Sequence, residues 1–333
     1  MSANLDFDIP FAFHVNPELD QARQRNRRWL AEHGLLAGGT EHAAHAGVDV
    51  ERLAAYAYPH ARGADVDLAM RFASFFLLYD DQFTYQLGQD PRAVAAVADQ
   101  FAEVVRGHRP SADAPKLVTA LDEIWQDWCA GMSPTWCRRS AYHWEQYFVI
   151  PAHEAALRAR GIVPAEDCFM ELRDISGFMY PILDLCDRVG GYELDPVVFH
   201  APELSVLRHI TVQVVSFAND IASADKERRD GETDNLVLVY EHRRGLSPQD
   251  AVERARALVN ARVRRFIELE AELPAVCDAL GLPDDQHRAV FRYARDLRAW
   301  ISGYCQWQRE THRYSPGGPG NFPRNEHHMM APR

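Results

Sequence analysis

The sequence predicts a single all-α domain, and three observations carry that expectation. Apolar residues recur at three- and four-residue spacing in one segment after another, and strands alternating with helices are nowhere to be read. Several segments open on Asp-Pro or Ser-Pro, at Pro91, Pro134 and Pro248, and several stop at Gly, the punctuation of helix ends. No Gly-rich phosphate loop of Walker or Rossmann type, no internal repeat and no interdomain linker interrupts them. With 333 residues the chain is long enough to bury a sizeable core as one unit, here residues 1–315, followed by a tail over 316–333.

Residues 1–20 contain Pro10 and Pro17 and read as an extended arm. Leu19–His33 reads as a helix up to Gly34, and a Gly-containing loop follows before a short helix, Val50–Tyr58, stopped by Pro59. From Asp65 to Gln86 the chain is apolar nearly all round, which places this helix centrally. The next helices run from Pro91 to Gly107 and over Pro115–Ala130, the latter with Leu117, Leu121, Ile124 and Trp128 on one side. Pro134 opens a long helix to Arg160, with Pro151 a point for a kink. Ala165–Val189 reads as one helix, then a loop at Gly190-Gly191, then Pro202–Asp230. Asn235–Arg244, Pro248–Glu272 and Asp284–His312 complete the set, and the Gly/Pro-rich tail is expected to be mobile unless tied down.

Hydrophobic residues make up 47% and charged residues 25%, the balance of an ordinary soluble globular protein. A net charge of −12 argues against a nucleic-acid partner, whose surface would call for a basic face. No basic segment followed by an apolar one marks a signal peptide, and no apolar run approaches the ~18–20 residues that span a bilayer. The six cysteines form no CxxC and no disulfide framework; they read as thiols of a reducing cytoplasm. Cys129 and Cys137 could form half of a zinc site, but no second half follows.

Chemistry enters at Thr211–Asp230, which begins apolar and ends strongly charged. Asn219, Ser223 and Glu227 stand at i, i+4 and i+8, within roughly 80° of arc and about 12 Å of helix axis. Amide, hydroxyl and carboxylate oxygens are hard ligands that suit Mg²⁺, which fills the rest of its octahedron with water and phosphate oxygens. Lys226 and Arg228 lie beside them with the charge a phosphate would need. An amphipathic helix with a solvated end is the plain alternative for this stretch taken alone. A second cluster, Asp80-Asp81, closes the apolar run FASFFLLY, where the helix dipole disfavours carboxylates unless cations neutralise them.

The helix ending Phe76…Asp80-Asp81, the later Asn219-Asp220, Ser223, Lys226 and Glu227, and the pair Arg313-Tyr314 resemble the motifs of bacterial class I terpene synthases. The second set is the more specific, matching the family's Asn/Ser/Glu triad with its Lys, and Gly231 and Asn235-Leu236-Val237 resemble its continuation. Arg173 lies 46 residues before Asn219, where the family carries a pyrophosphate-sensing Arg; Ser176 and Gly177 fall at its linker and effector positions. The resemblance covers roughly residues 10–315. It implies the single α-helical bundle of the class I isoprenoid synthases, and often a homodimer. One departure stands out: Thr84 occupies a position where a third acidic residue is common, which bears on metal affinity.

What the resemblance implies can be stated residue by residue. Mg²⁺, about three ions with Mn²⁺ as a substitute, would be held by Asp80 and by Asn219, Ser223 and Glu227. Asp81, about 100° further round the helix, is a further candidate ligand but is expected rather to pair with Arg173 on closure. Arg173, Lys226, Arg313 and Tyr314 would bind the substrate diphosphate. Phe76, Phe178 and Trp300 are candidates to face a carbocation, against the alternative of plain core packing for each. Farnesyl diphosphate is the first expected substrate and geranylgeranyl diphosphate the second. A protonation-initiated cyclase would need DxDD, which Asp65-Val66-Asp67-Leu68 does not supply. A chain-elongating synthase would show two aspartate-rich motifs, and an isoprenoid-binding protein without turnover is the reading from outside enzymology. Three weaker signals remain: Asp184 and Asp187 one turn apart, Glu326-His327-His328 in the tail, and His153-Glu154, whose zinc-protease reading fails at Leu157.

Overall fold

The computed structural model describes residues 5–36, 38–83, 90–314 and 330. Among them the secondary structure is helical throughout, with no strand. In chain order the helices are α1 (Leu19–Glu32), α2 (Gly39–Val48), α3 (Val50–Ala57), α4 (Ala64–Asp80), α5 (Pro91–Val105), α6 (Lys116–Cys129) and α7 (Pro134–Arg158). They continue as α8 (Glu166–Ser176), α9 (Met179–Gly190), α10 (Pro196–Phe199), α11 (Pro202–Asp230), α12 (Leu236–Arg244), α13 (Pro248–Ala279) and α14 (Asp284–Glu310). No helix of the described residues is long and apolar enough to cross a membrane.

Contacts group the chain into two compact units. One comprises Met1–His14, Tyr56–His60 and Val163–Arg309; the other comprises Val15–Ala55, Ala61–Ile162 and Glu310–Arg333. In the first, α11 is the axis: it packs on α8, α9, α10, α12 and α13, and its residues from Leu204 to Ala224 are largely buried. Its last turn turns polar and stops at Gly231, whose φ of +76° costs no Cβ clash. In the second, α4 packs on α1 and α6, and α5 on α6 and α7. Its core is aromatic. Tyr79 meets Phe101 edge-on at 4.7 Å, and Trp128 meets Trp144 at 5.2 Å, each such pair adding ~0.5–1.5 kcal/mol beyond its buried area.

Five boundaries depart from the sequence expectation. The loop expected after Gly34 contains α2, whose weak helix formers are held by buried polar contacts. His45 Nε2 lies 3.1 Å from Ser74 Oγ, and burial lowers the imidazole's pKa. The central helix expected to reach Gln86 ends at Asp80, and Asp81–Phe83 form one 3₁₀ turn. Ala165–Val189 is two helices, broken at Gly177-Phe178. The short α10 has no counterpart in the sequence reading. Finally, α13 runs past Glu272 and through Pro274 to Ala279, because Leu269, Leu273 and Cys277 continue one buried stripe. That burial offsets the ~3 kcal/mol a mid-helix proline costs.

Candidate active site

The carboxyl-terminal half of α11 carries the expected triad. Ser223 is fully buried, while Asn219 and Glu227 are half-buried. Ser223 Oγ donates to the Asn219 carbonyl at 2.8 Å, which spends its proton and leaves its lone pairs. The set is therefore a row of hard oxygen donors on one helix face, which fits a small divalent cation.

Arg173, at the end of α8, reaches this row. Its Nη2 lies 2.7 Å from Asp220 Oδ1 and donates to Asn219 Oδ1 at 3.0 Å, and its Nη1 donates to Ser176 Oγ at 3.3 Å. Asp220 is fully buried. Burial pushes its carboxyl up to about 6, against the opposing pull of Arg173, and its Oδ2 accepts from the Leu236 backbone N–H at 3.0 Å. The guanidinium expected to pair with Asp81 on closure here rests on Asp220 and Asn219. Lys226 stays beside the row, 3.2 Å from Asp230. Arg228 is turned to Asp225 and to Glu241 of α12, where it fastens one helix to the next.

The break after Ser176 brings two further candidates into view. Phe178 adopts φ +57°, a left-handed conformation rare for a bulky side chain, and total burial of its ring holds it there. Gly177 precedes it, and a Cβ at that position would sit 2.5 Å from Ser216 Oγ on α11. Gly177→Ala should therefore destabilise the protein by ~1–3 kcal/mol. Adding Ser216→Ala should recover most of the loss in urea unfolding; a double variant as unstable as the single one would show that the Ser216 hydroxyl is not the source of the strain. Trp300 is also buried, edge-on to Tyr58 at 5.3 Å. Both rings sit in packed core, the alternative allowed for each.

In the other unit the Asp80-Asp81 pair divides its work. Asp80 is exposed at the end of α4 and accepts from Tyr147 Oη of α7 at 3.1 Å. Asp81 is 4% exposed and grips Arg313, with Oδ1 at 2.7 Å from Nη2 and Oδ2 at 3.5 Å from Nη1. Burial works against the charge on Arg313, but Asp81, Tyr314 and Asp80 together outweigh it and hold the guanidinium's pKa above its ordinary value. Arg313, expected to bind diphosphate, thus rests on Asp81. Tyr314 is half-buried, its ring 5.8 Å from the Arg313 Cζ. Phe76 is half-buried and tilted against Tyr147 at 5.8 Å, one turn before Asp80. Asp184 and Asp187 are buried on α9. Thr84, Glu326, His327 and His328, and almost all of the tail, lie outside the described residues.

Three residues of these clusters carry no role in the sequence reading. Tyr147 gives no signal, being one aromatic among several on α7. Asp220 stands inside the motif, but only burial beside Arg173 reveals its part. Asn235 is legible as a cap before Leu236, and its contacts with α11 are not.

A family model described as "Terpene synthase family 2, C-terminal metal binding" matches residues 71–265. Pristinol synthase of Streptomyces pristinaespiralis is 35% identical over 315 residues, covering 93% of this chain and 84% of that protein. The (−)-β-caryophyllene synthase of Saccharothrix espanaensis, whose name specifies cyclisation of (2E,6E)-farnesyl diphosphate, is 31% identical over 322 residues, covering 95% and 91%. The crystal structure of germacradien-4-ol synthase from Streptomyces citricolor superposes with a TM-score of 0.85 at 29% identity, covering 93% of this chain and all of that one. The all-α fold of the class I enzymes expected from the sequence is the fold found.

Proposed function

We infer that this chain, which belongs to terpene synthase family 2 and is thereby a lyase of isoprenyl diphosphates, cyclises farnesyl diphosphate to a sesquiterpene hydrocarbon or alcohol in a Mg²⁺-dependent reaction. The observation that carries the reading is the row of Asn219, Ser223 and Glu227 oxygens on α11, with Arg173 already hydrogen-bonded to its first member. The substrate length rests on the farnesyl diphosphate named for the caryophyllene synthase. Asp80 and the α11 triad would hold the ions, which when bound supply Lewis-acid neutralisation of the leaving diphosphate.

The chain's own groups then divide the remaining work. Arg173, Lys226, Arg313 and Tyr314 would donate to diphosphate oxygens, the cations by charge-assisted bonds. Arg173 would exchange Asn219 and Asp220 for the diphosphate, and that exchange frees the Asn219 amide oxygen for a cation. Arg313 would likewise trade part of its grip on Asp81. Apolar walls must exclude water from the allylic cation. Phe76, the least buried of the three aromatic candidates, would face that cation with an attraction of up to ~2 kcal/mol. Phe76→Ala should change the product distribution more than it changes the Mg²⁺ requirement. A product profile identical to that of the parent would leave Phe76 with a packing role.

Incubation with Mg²⁺ and geranyl, farnesyl or geranylgeranyl diphosphate, followed by gas chromatography–mass spectrometry, tests the reading. A cyclic fifteen-carbon product from farnesyl diphosphate is expected. A cyclic product from geranylgeranyl diphosphate alone would move the enzyme to diterpenes. Longer diphosphates formed with isopentenyl diphosphate would move it to chain elongation. No turnover of any of them by folded protein would overturn the reading.

A further inference from the structure

Asn235 is fully buried between α11 and α12, and both ends of its amide are used. Oδ1 accepts from the Val237 and Leu238 backbone N–H groups at 2.8 and 3.4 Å, capping α12. Nδ2 donates to the Asp220 carbonyl at 2.8 Å and to Glu227 Oε2 at 2.8 Å, with Ser223 Oγ at 3.4 Å. One NH₂ group thus touches the backbone between Asn219 and Ser223, the hydroxyl of Ser223 and the carboxylate of Glu227.

A cap alone needs only Oδ1. The NH₂ side has a different consequence: it fixes which oxygen of Glu227 is engaged and so restrains a side chain that would otherwise sample several rotamers. Glu227 Oε1 is left for a ligand. The Ser223 proton goes to the Asn219 carbonyl, so its hydroxyl oxygen acts toward Asn235 as an acceptor and keeps lone-pair capacity a cation would use. Hydrogen bonds to ligating side chains from behind are how proteins orient a metal site and tune its affinity.

We propose that Asn235 is a positioning residue that presets Glu227 and Ser223 for the cation; this rests on the reading of the α11 triad as a metal site. Its role is separable from the cap, because Ser and Thr also cap helices well yet are too short to span to Glu227. Asn235→Ser should retain far-UV circular dichroism and α12.

The test is a calorimetric titration of Mg²⁺ into full-length protein with inorganic diphosphate, alongside steady-state kinetics at varied Mg²⁺. Asn235→Ser should raise the half-saturating Mg²⁺ concentration by ~10–100-fold in both. Excess Mg²⁺ should restore most of kcat. In a Glu227→Gln background the same substitution should add less than about threefold, since Asn235 acts through that carboxylate. Should Asn235→Ser lose its circular dichroism, Asn235→Thr, closer in volume, takes the same measurements with the same expectation. Unchanged Mg²⁺ affinity in the folded variant would overturn the proposal and leave Asn235 as a cap. Parent protein that binds no Mg²⁺ with diphosphate would instead sink the metal-site reading itself.

Discussion

Asn219→Ala should lower turnover of farnesyl diphosphate at least about 100-fold, more than an outer-shell loss alone would cost. The substitution sits mid-helix in α11, where Ala is the better helix former, so helical content should not fall. It also leaves the Arg173–Asp220 pair in place, since that contact runs to Asp220 Oδ1. Loss of rate would therefore report the missing amide oxygen and not a collapsed site. Circular dichroism and steady-state kinetics on one preparation make the comparison. Near-parent rates would show that the α11 face holds no catalytic metal.

Arg313→Met should cost ~3–5 kcal/mol of unfolding free energy, because it takes the guanidinium away from a buried carboxylate. The side chains of Arg313 and Asp81 are 9% and 2% exposed, and their contact is short on one arm. The segment that carries Arg313 is itself tied down: Thr311 Oγ1 donates to the Val48 carbonyl at 2.9 Å and accepts from the Arg313 N–H at 3.2 Å. Adding Asp81→Leu, which removes the buried charge as well, should recover most of the loss. Urea unfolding of the two variants measures this. A single variant costing under about 1 kcal/mol would mean that other groups around Asp81 compensate for the lost guanidinium. Turnover should fall in both variants if Arg313 also binds diphosphate, so stability and activity separate the two roles of one side chain.

Much of the candidate site was legible because its signal is local. The spacing of Asn219, Ser223 and Glu227 puts them on one face of any uninterrupted helix, and Pro202 and Gly231 delimit that helix within the sequence. Asp80 likewise falls at the end of α4, whose apolar run marks it as buried before any neighbour is known. The break between α8 and α9 was missed. A Ser-Gly-Phe step inside a helical pattern does not announce a left-handed Phe, and only the packing of that ring sustains it.

Helical class, most helix boundaries and the row of oxygen donors on α11 follow from the sequence by itself, because periodicity and Pro/Gly punctuation act over a few residues. Partner choice does not. Arg173 and Asn219 are 46 residues apart, Tyr147 and Asp80 are 67 apart, and Asp81 and Arg313 are 232 apart. Which guanidinium neutralises which buried carboxylate depends on distance and desolvation in the folded chain, and neither is written in spacing. Tertiary packing decided those pairings, as it decided that α13 passes Pro274 and that Asn235 closes on Glu227. A buried group takes the partner that best offsets its lost hydration, and only the fold determines which partners are within reach.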